Sequence, residues 1–216
     1  MRTLPPWDKF RSRSFDVFLC RSSLDKIVRS VKTQHWGPNC ATFSRAREIP
    51  IPGARWAPVP YRSHDHPEGL PSNSGLQEHE LRRIADDTAM ADMAGEHCAE
   101  AVDRGDWASL EHPKGSYAWQ LNSWKTFLAK PGVDWIPHDH CMLRPCTKRK
   151  REAIASNIPN LEAFIGKVCS NKGGLCDRTG EPHDVFNNEV VNGQVIEFGT
   201  TGTAEYPEGL CEAYAR

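Results

Sequence analysis

IVRSVKTQHWGPNCATFS, residues 27–44, is the stretch on which the reading of this chain turns. Its first ten residues, Ile27 to Trp36, are rich in β-branched and aromatic side chains and stop at Gly37 and Pro38, which predicts a strand running into a tight turn. The run Phe15 to Leu19 (FDVFL) predicts another strand, with RSSLDK as a turn or helical step between them. Open α/β sheets meet their ligands at the carboxyl ends of strands, and the loop in that place here carries Cys40. A Cys on such a turn is open to backbone N–H groups that favour its thiolate, the form that attacks electrophiles. The plainer reading is a small buried thiol.

Downstream, Ile49 to Asn73 carries Pro50, Pro52, Pro58, Pro60, Pro67 and Pro71 without helical or alternating periodicity, so it reads as a long irregular loop. Leu76 to Val102 repeats apolar residues at Leu81, Ile84, Ala91, Ala94, Cys98, Ala101 and Val102, the spacing of one helix face, with Gly95 as a weak point. Trp107 to Leu110 predicts a buried strand, Ser123 to Ala129 a short helix, and Val133 to Pro137 a strand. Ile158 to Cys169 predicts a helix with Pro159 in its first turn. Asn192-Gly193 predicts a hairpin within Val190 to Phe198, and Pro207 opens a last short helix. Strands alternating with helices argue for an α/β domain with a mainly parallel sheet.

The chain has 216 residues, 38% of them hydrophobic, with a formal net charge of -1. That supports one ordinary core and no general attraction to nucleic acid, so any such partner needs a local basic patch. No run approaches the roughly 20 apolar residues that span a bilayer. Eight Cys at scattered spacings do not make a small disulfide scaffold, which predicts reduced thiols and an intracellular, nuclear or cytoplasmic, setting.

A second segment changes the weight of Cys40. Leu110-Glu111-His112-Pro113, after the second predicted strand, continues as Lys114-Gly115-Ser116-Tyr117-Ala118-Trp119. Taken with Gly37 to Ser44, it resembles the DNA cytosine-5 methyltransferase family, whose nucleophile motif reads Gly-x-Pro-Cys, then a small residue or Gln, then Phe-Ser. The family's acid motif reads Glu-Asn-Val or Glu-Asn-Pro. The wider pattern is similar to a divergent phage-like and retroelement-associated branch. It is carried by Cys40 to Arg47, Tyr61-Arg62-Ser63, Gly69-Leu70-Pro71, Glu111 to Trp119, Cys141 to Lys150 and Tyr206 to Cys211, in order over roughly residues 15 to 215.

The resemblance implies a partial Rossmann-like methyltransferase sheet with flanking helices and long Pro-rich loops. It implies a single domain over 1–216, shortened at its N terminus, with 1–14 poorly ordered and 45–75 an irregular loop. Cys40 would add to cytosine C6 while Glu111 assists at N3, because C5 becomes nucleophilic enough to take a methyl group only after that addition. The two residues are then expected at the ends of adjacent parallel strands, facing one crevice. Ser44, Arg144, Lys148 and Arg149 would hold the substrate, DNA or in its place RNA, with the target base turned out of the stack. The methyl donor would be S-adenosylmethionine. Asn39 and His112 stand where the family has Pro and Asn, and its Phe-x-Gly-x-Gly cofactor turn has no counterpart, so weak or absent cofactor binding is expected.

Arg144, Lys148, Arg149, Lys150 and Arg151 make a basic run suited to phosphates or to a solvated surface. His138, His140, Cys141 and Cys146, with Cys169, Cys176 and His183, hold enough donors for one zinc. Their steps of seven lack any Cys-x-x-Cys pair, and the expectation is buried thiols with no metal. The Trp residues are expected in the core, with Trp56 as a loop anchor or a base-stacking surface. Two other readings stay open. One is a catalytically inactive nucleic-acid-binding or structural remnant of a mobile-element polyprotein, and the other a zinc-stabilised binding module.

Overall fold

The structure, a computed structural model, describes residues 17–55, 58–143, 146–184, 188–197 and 206–214. The predicted 1–14 segment, Trp56 and Arg144 lie outside them. The chain divides into two compact units, Met1–Lys32 and Thr33–Arg216. No described helix is long and apolar enough to cross a membrane.

In the first unit, α1 spans Val17–Ser30. This replaces the described part, Val17 to Leu19, of the strand expected from Phe15, and the first part of the expected strand at Ile27 to Trp36. Leu24, Ile27 and Val28 fall at helical steps of three and one, a period the β-branched composition of the shorter runs obscured.

The second unit is a mixed α/β structure around a four-stranded sheet of order β1-β2-β4-β3. Strand β1 (Thr33–Trp36) runs parallel to β2 (Trp107–Pro113). Strand β4 (Arg151–Ser156) lies antiparallel to both β2 and β3 (Asp134–Asp139). β1, β2 and β3 therefore share one direction, and the reversed β4 sits between β2 and β3. Only the β1–β2 pairing is parallel, against the expectation of a mainly parallel sheet. Sequence inspection missed β4 because Arg151 and Glu152 read as the tail of the basic run, whereas their charges sit at the end of an Ala-Ile-Ala strand core.

The two-residue period of the sheet sorts its faces. Ala108, Leu110, Ala153 and Ala155 pack with Phe43, Trp119, Trp124 and Phe127 beneath α2 (Glu78–Asp103) and α3 (Asn122–Leu128). On the opposite face Ile136 and Ile154 pack with Leu161 and Ile165 of α4 (Leu161–Ile165) and Leu210 of α5 (Glu208–Tyr214). Helix α4 is shorter than the predicted Ile158 to Cys169. Asn160 is left-handed at its start, and Gly166, where a Cβ would press on the Glu162 carbonyl, ends it.

Helix α2 begins with a capping box between Gln77 and Glu80. Its Gly95 allows close approach: a Cβ there would stand 2.8 Å from Trp124 Cδ1 and 3.0 Å from the Ser123 carbonyl carbon. The expected hairpin is present as β5 (Glu189–Val191) and β6 (Gln194–Glu197), with Asn192 and Gly193 both at positive φ, as a type I′ turn requires. Trp119 and Trp124 are core residues as expected, but Trp107 and Trp135 are largely exposed at the sheet margins.

Candidate active site and thiol cluster

The loop after β1 is fixed from below by two buried polar side chains. Asn39 turns back on itself, its Oδ1 accepting from Ala41 N at 3.1 Å, and its Nδ2 donates to Asp87 of α2 at 3.1 Å. Thr42 donates to the same carboxylate at 2.7 Å. Arg62, 2% exposed, lies over the Phe43 ring and donates to the Thr42 carbonyl and hydroxyl, to Pro67 O, to Thr88 Oγ1 and to Ile84 O. Burial lowers its pKa to about 10, so it stays a cation. One guanidinium thereby ties the Cys40 loop, the Pro-rich loop and α2 together. His112 is wedged edge-on against Phe43 and Trp124, and burial lowers it to about 3, so it is a neutral core ring.

Above this loop lies a polar row on the α4/α5 face of the sheet: His35 and Ser109, Glu111, Glu152 and His138. Glu111 is in β2 immediately beyond Leu110, which pairs with Trp36. Its Oε2 accepts from the Tyr206 hydroxyl at 3.1 Å. Tyr206 Oη lies 3.0 Å from His35 Nε2, and His35 Nδ1 lies 2.8 Å from Ser109 Oγ. With Tyr206 donating to Glu111, His35 donates through Nε2 and accepts from Ser109 at Nδ1. Burial lowers His35 to about 4, which keeps the ring neutral. A Cβ on Gly37 would collide with the Tyr206 hydroxyl and approach Glu111 Oε2 to 3.2 Å, so only glycine lets the chain pass here.

Burial and the neighbouring charge of Glu152 push Glu111 up to about 8. Glu152 goes the other way. Burial alone would raise it, but His140 Nε2 at 2.5 Å and the Lys150 ammonium pull it down to about 2. At neutral pH the site therefore holds one carboxylic acid beside one carboxylate.

Cys40 is half-buried, and its thiol is raised rather than lowered. Burial is the first cause; Glu111 and Glu152 add to it, and Lys150 opposes them. This corrects the expected acidic thiol: the turn is buried enough to disfavour the thiolate, and carboxyl groups on β2 and β4 add to that. Electrostatic coupling links Cys40 with Glu111, Glu152 and Lys150; Glu111 lies inside β2, which runs on to Pro113, rather than at its end.

The other expected substrate residues have different surroundings. Ser44 caps the 3-10 turn Arg45–Glu48, accepting from Ala46 N. Lys148 forms an isolated backbone bridge with Asp184. Arg149 donates to the Cys169 carbonyl and lies 3.6 Å from Asp139. Glu152, Tyr206, His35 and Arg62 were not named as site residues from sequence, although Arg62 and Tyr206 fall inside quoted motifs. Glu152 carried no signal apart from the alternation of REAIAS.

A second cluster lies beyond β3. Cys141, Cys169, Cys176 and His183 place one donor atom each within 4.8 Å of one another. His138, His140 and Glu152 do the same within the row described above. The chain matches no family model, no curated protein and no solved structure.

Proposed function

We propose that the Cys40–Glu111 crevice adds a cysteine to the C6 position of a cytosine base in DNA, as a divergent cytosine-5 methyltransferase-like site on a partial Rossmann-like sheet. The observation that carries this reading is a loop cysteine four residues beyond β1 that feels the charge of a carboxyl group on the adjacent parallel strand β2, a carboxyl that burial holds protonated near neutral pH.

Addition needs a proton at N3 as electrons leave the C5–C6 double bond, and Glu111 is the group that carries one. As the Cys40 Sγ–C6 bond forms, N3 takes the Glu111 proton and the thiol proton passes to water. Lys150 favours the thiolate and keeps Glu152 ionised. C5 is then an enamine carbon that accepts a proton from solvent. Loss of the original C5 proton to water regenerates the enamine, and return of the N3 proton to Glu111 as the Cys40 Sγ–C6 bond breaks restores the base and the acid.

In the family this site resembles, S-adenosylmethionine supplies a methyl group to that carbon. The residues present do not fit it well: the chain has no counterpart of that family's Phe-x-Gly-x-Gly turn, and Gly37, at the carboxyl end of β1, belongs to the nucleophile loop. The raised Cys40 thiol favours a second reading, a nucleic-acid-binding domain without catalysis.

Exchange of the cytosine C5 hydrogen into deuterated water separates the two readings without any methyl donor. Catalysed exchange in DNA, abolished by Cys40→Ser and slowed at least roughly tenfold by Glu111→Gln, is the expected result. DNA binding without exchange supports the silent domain, and neither exchange nor binding overturns both.

A further inference from the structure

We propose that Cys141, Cys169, Cys176 and His183 form a tetrahedral structural zinc site. Three of the four are 0–4% exposed and cluster together, and among the described residues the partly buried hydrophobic packed against them is Met142. Three thiols gathered around one point make a small apolar core and a good donor set. As a Cys3His donor set they match a closed structural zinc site, in which thiolate sulfurs stand about 2.3 Å and an imidazole nitrogen about 2.0–2.1 Å from the metal. Donor atoms within 4.8 Å of one another are compatible with that tetrahedron. None of the three cysteines is in a disulfide.

The surroundings are built as an outer shell for such a site. Asp177 N donates to Cys169 Sγ at 3.5 Å. Such N–H donors stabilise thiolate ligands. The turn is closed by Gly180 N donating to Cys176 O and Cys176 N donating to Glu181 O, both at 2.8 Å. Cys169 N donates to Asp139 Oδ2 at 2.8 Å.

Three thiolates around Zn2+ leave a net negative charge, and three guanidiniums surround it. Arg178 holds the carbonyls of Cys141 and Cys146, while Arg149 and Arg151 hold the carbonyl of Cys169. His183 comes from the far side of the same loop, its Nε2 3.5 Å from Cys169 Sγ.

The His138–His140–Glu152 group is the weaker metal candidate, because Glu152 is already engaged by Lys150 and His140. Zinc at the thiol cluster ties the loop 166–184 to the end of β3. It thereby fixes His140, next to Cys141, against Glu152.

The full chain, purified without chelator, is expected to carry about one zinc per molecule, released by a thiol-modifying reagent. Replacing zinc with Co2+ is expected to give the thiolate charge-transfer and intense d–d bands of a tetrahedral site. Cys176→Ser is expected to lower metal affinity at least roughly tenfold, while Cys211→Ser, outside the cluster, leaves it unchanged. An octahedral or absent cobalt spectrum on the wild-type chain overturns the proposal whether or not the variant folds. So does a disulfide among Cys141, Cys169 and Cys176 in the native protein.

Discussion

Glu111 and Glu152 stand diagonally on one face of the sheet, Glu111 opposite Ile154 and Glu152 opposite Pro113, and they occupy opposite protonation states. The split follows from their partners. Lys150 and His140 engage Glu152, whereas Glu111 is raised first by burial and then by the charge of Glu152, which the Tyr206 hydroxyl and Lys150 only partly offset.

This relationship fixes a pH dependence. The Glu111 carboxyl titrates at about 8 in the folded chain against 4.5 ordinarily, so the folded state holds its proton more tightly. Its contribution to stability is present in full below about 4.5 and is lost as pH rises through about 8. Glu111→Gln copies the protonated form and keeps an acceptor for Tyr206. At pH 9 the variant is expected to melt roughly 5 °C above wild type, with the gap closing at pH 5. Parallel melting curves across that range would contradict a protonated Glu111.

Lys150 is the cation that works against the two acids at Cys40. Lys150→Met is expected to move the alkylation profile of Cys40 to higher pH and to slow its modification at pH 7.5, read by peptide mass spectrometry. An unchanged profile removes Lys150 from the site.

Arg62 is a positioning residue for the Cys40 loop. Arg62→Met removes its donors to Thr42, Pro67, Thr88 and Ile84 while keeping an apolar stem over Phe43. The expected loss is about 3 kcal/mol in chemical denaturation, together with faster alkylation of Cys40 as its loop loosens. Lost stability with unaltered Cys40 reactivity would confine Arg62 to the core.

Gly95 gives a test of sign. In an ordinary helix interior Gly→Ala stabilises by about 1 kcal/mol. Here the added Cβ meets Trp124 and the Ser123 backbone, so Gly95→Ala is expected to destabilise by about 1–3 kcal/mol in urea unfolding.

By itself the sequence determined the local features. These include the long α2 helix, the Asn192-Gly193 hairpin, the buried β2, the irregular Pro-rich segment, and Cys40 and Glu111 as the pair to watch. The elements follow from the period of neighbouring side chains or from the backbone freedom of Gly and Pro, which act within a few residues, whereas the pairing of Cys40 with Glu111 was singled out by the family resemblance. Tertiary structure alone decided the reversed β4 between β2 and β3, the raised thiol of Cys40, and the divided states of Glu111 and Glu152. Those depend on which charges lie across strands far apart in sequence and on how much water they exclude. The convergence of Cys141, Cys169, Cys176 and His183 belongs with them. Their seven-residue steps look unlike a chelate loop until left-handed Asn171, Gly173 and Gly174 and the turn closed at Gly180 fold the chain back on itself.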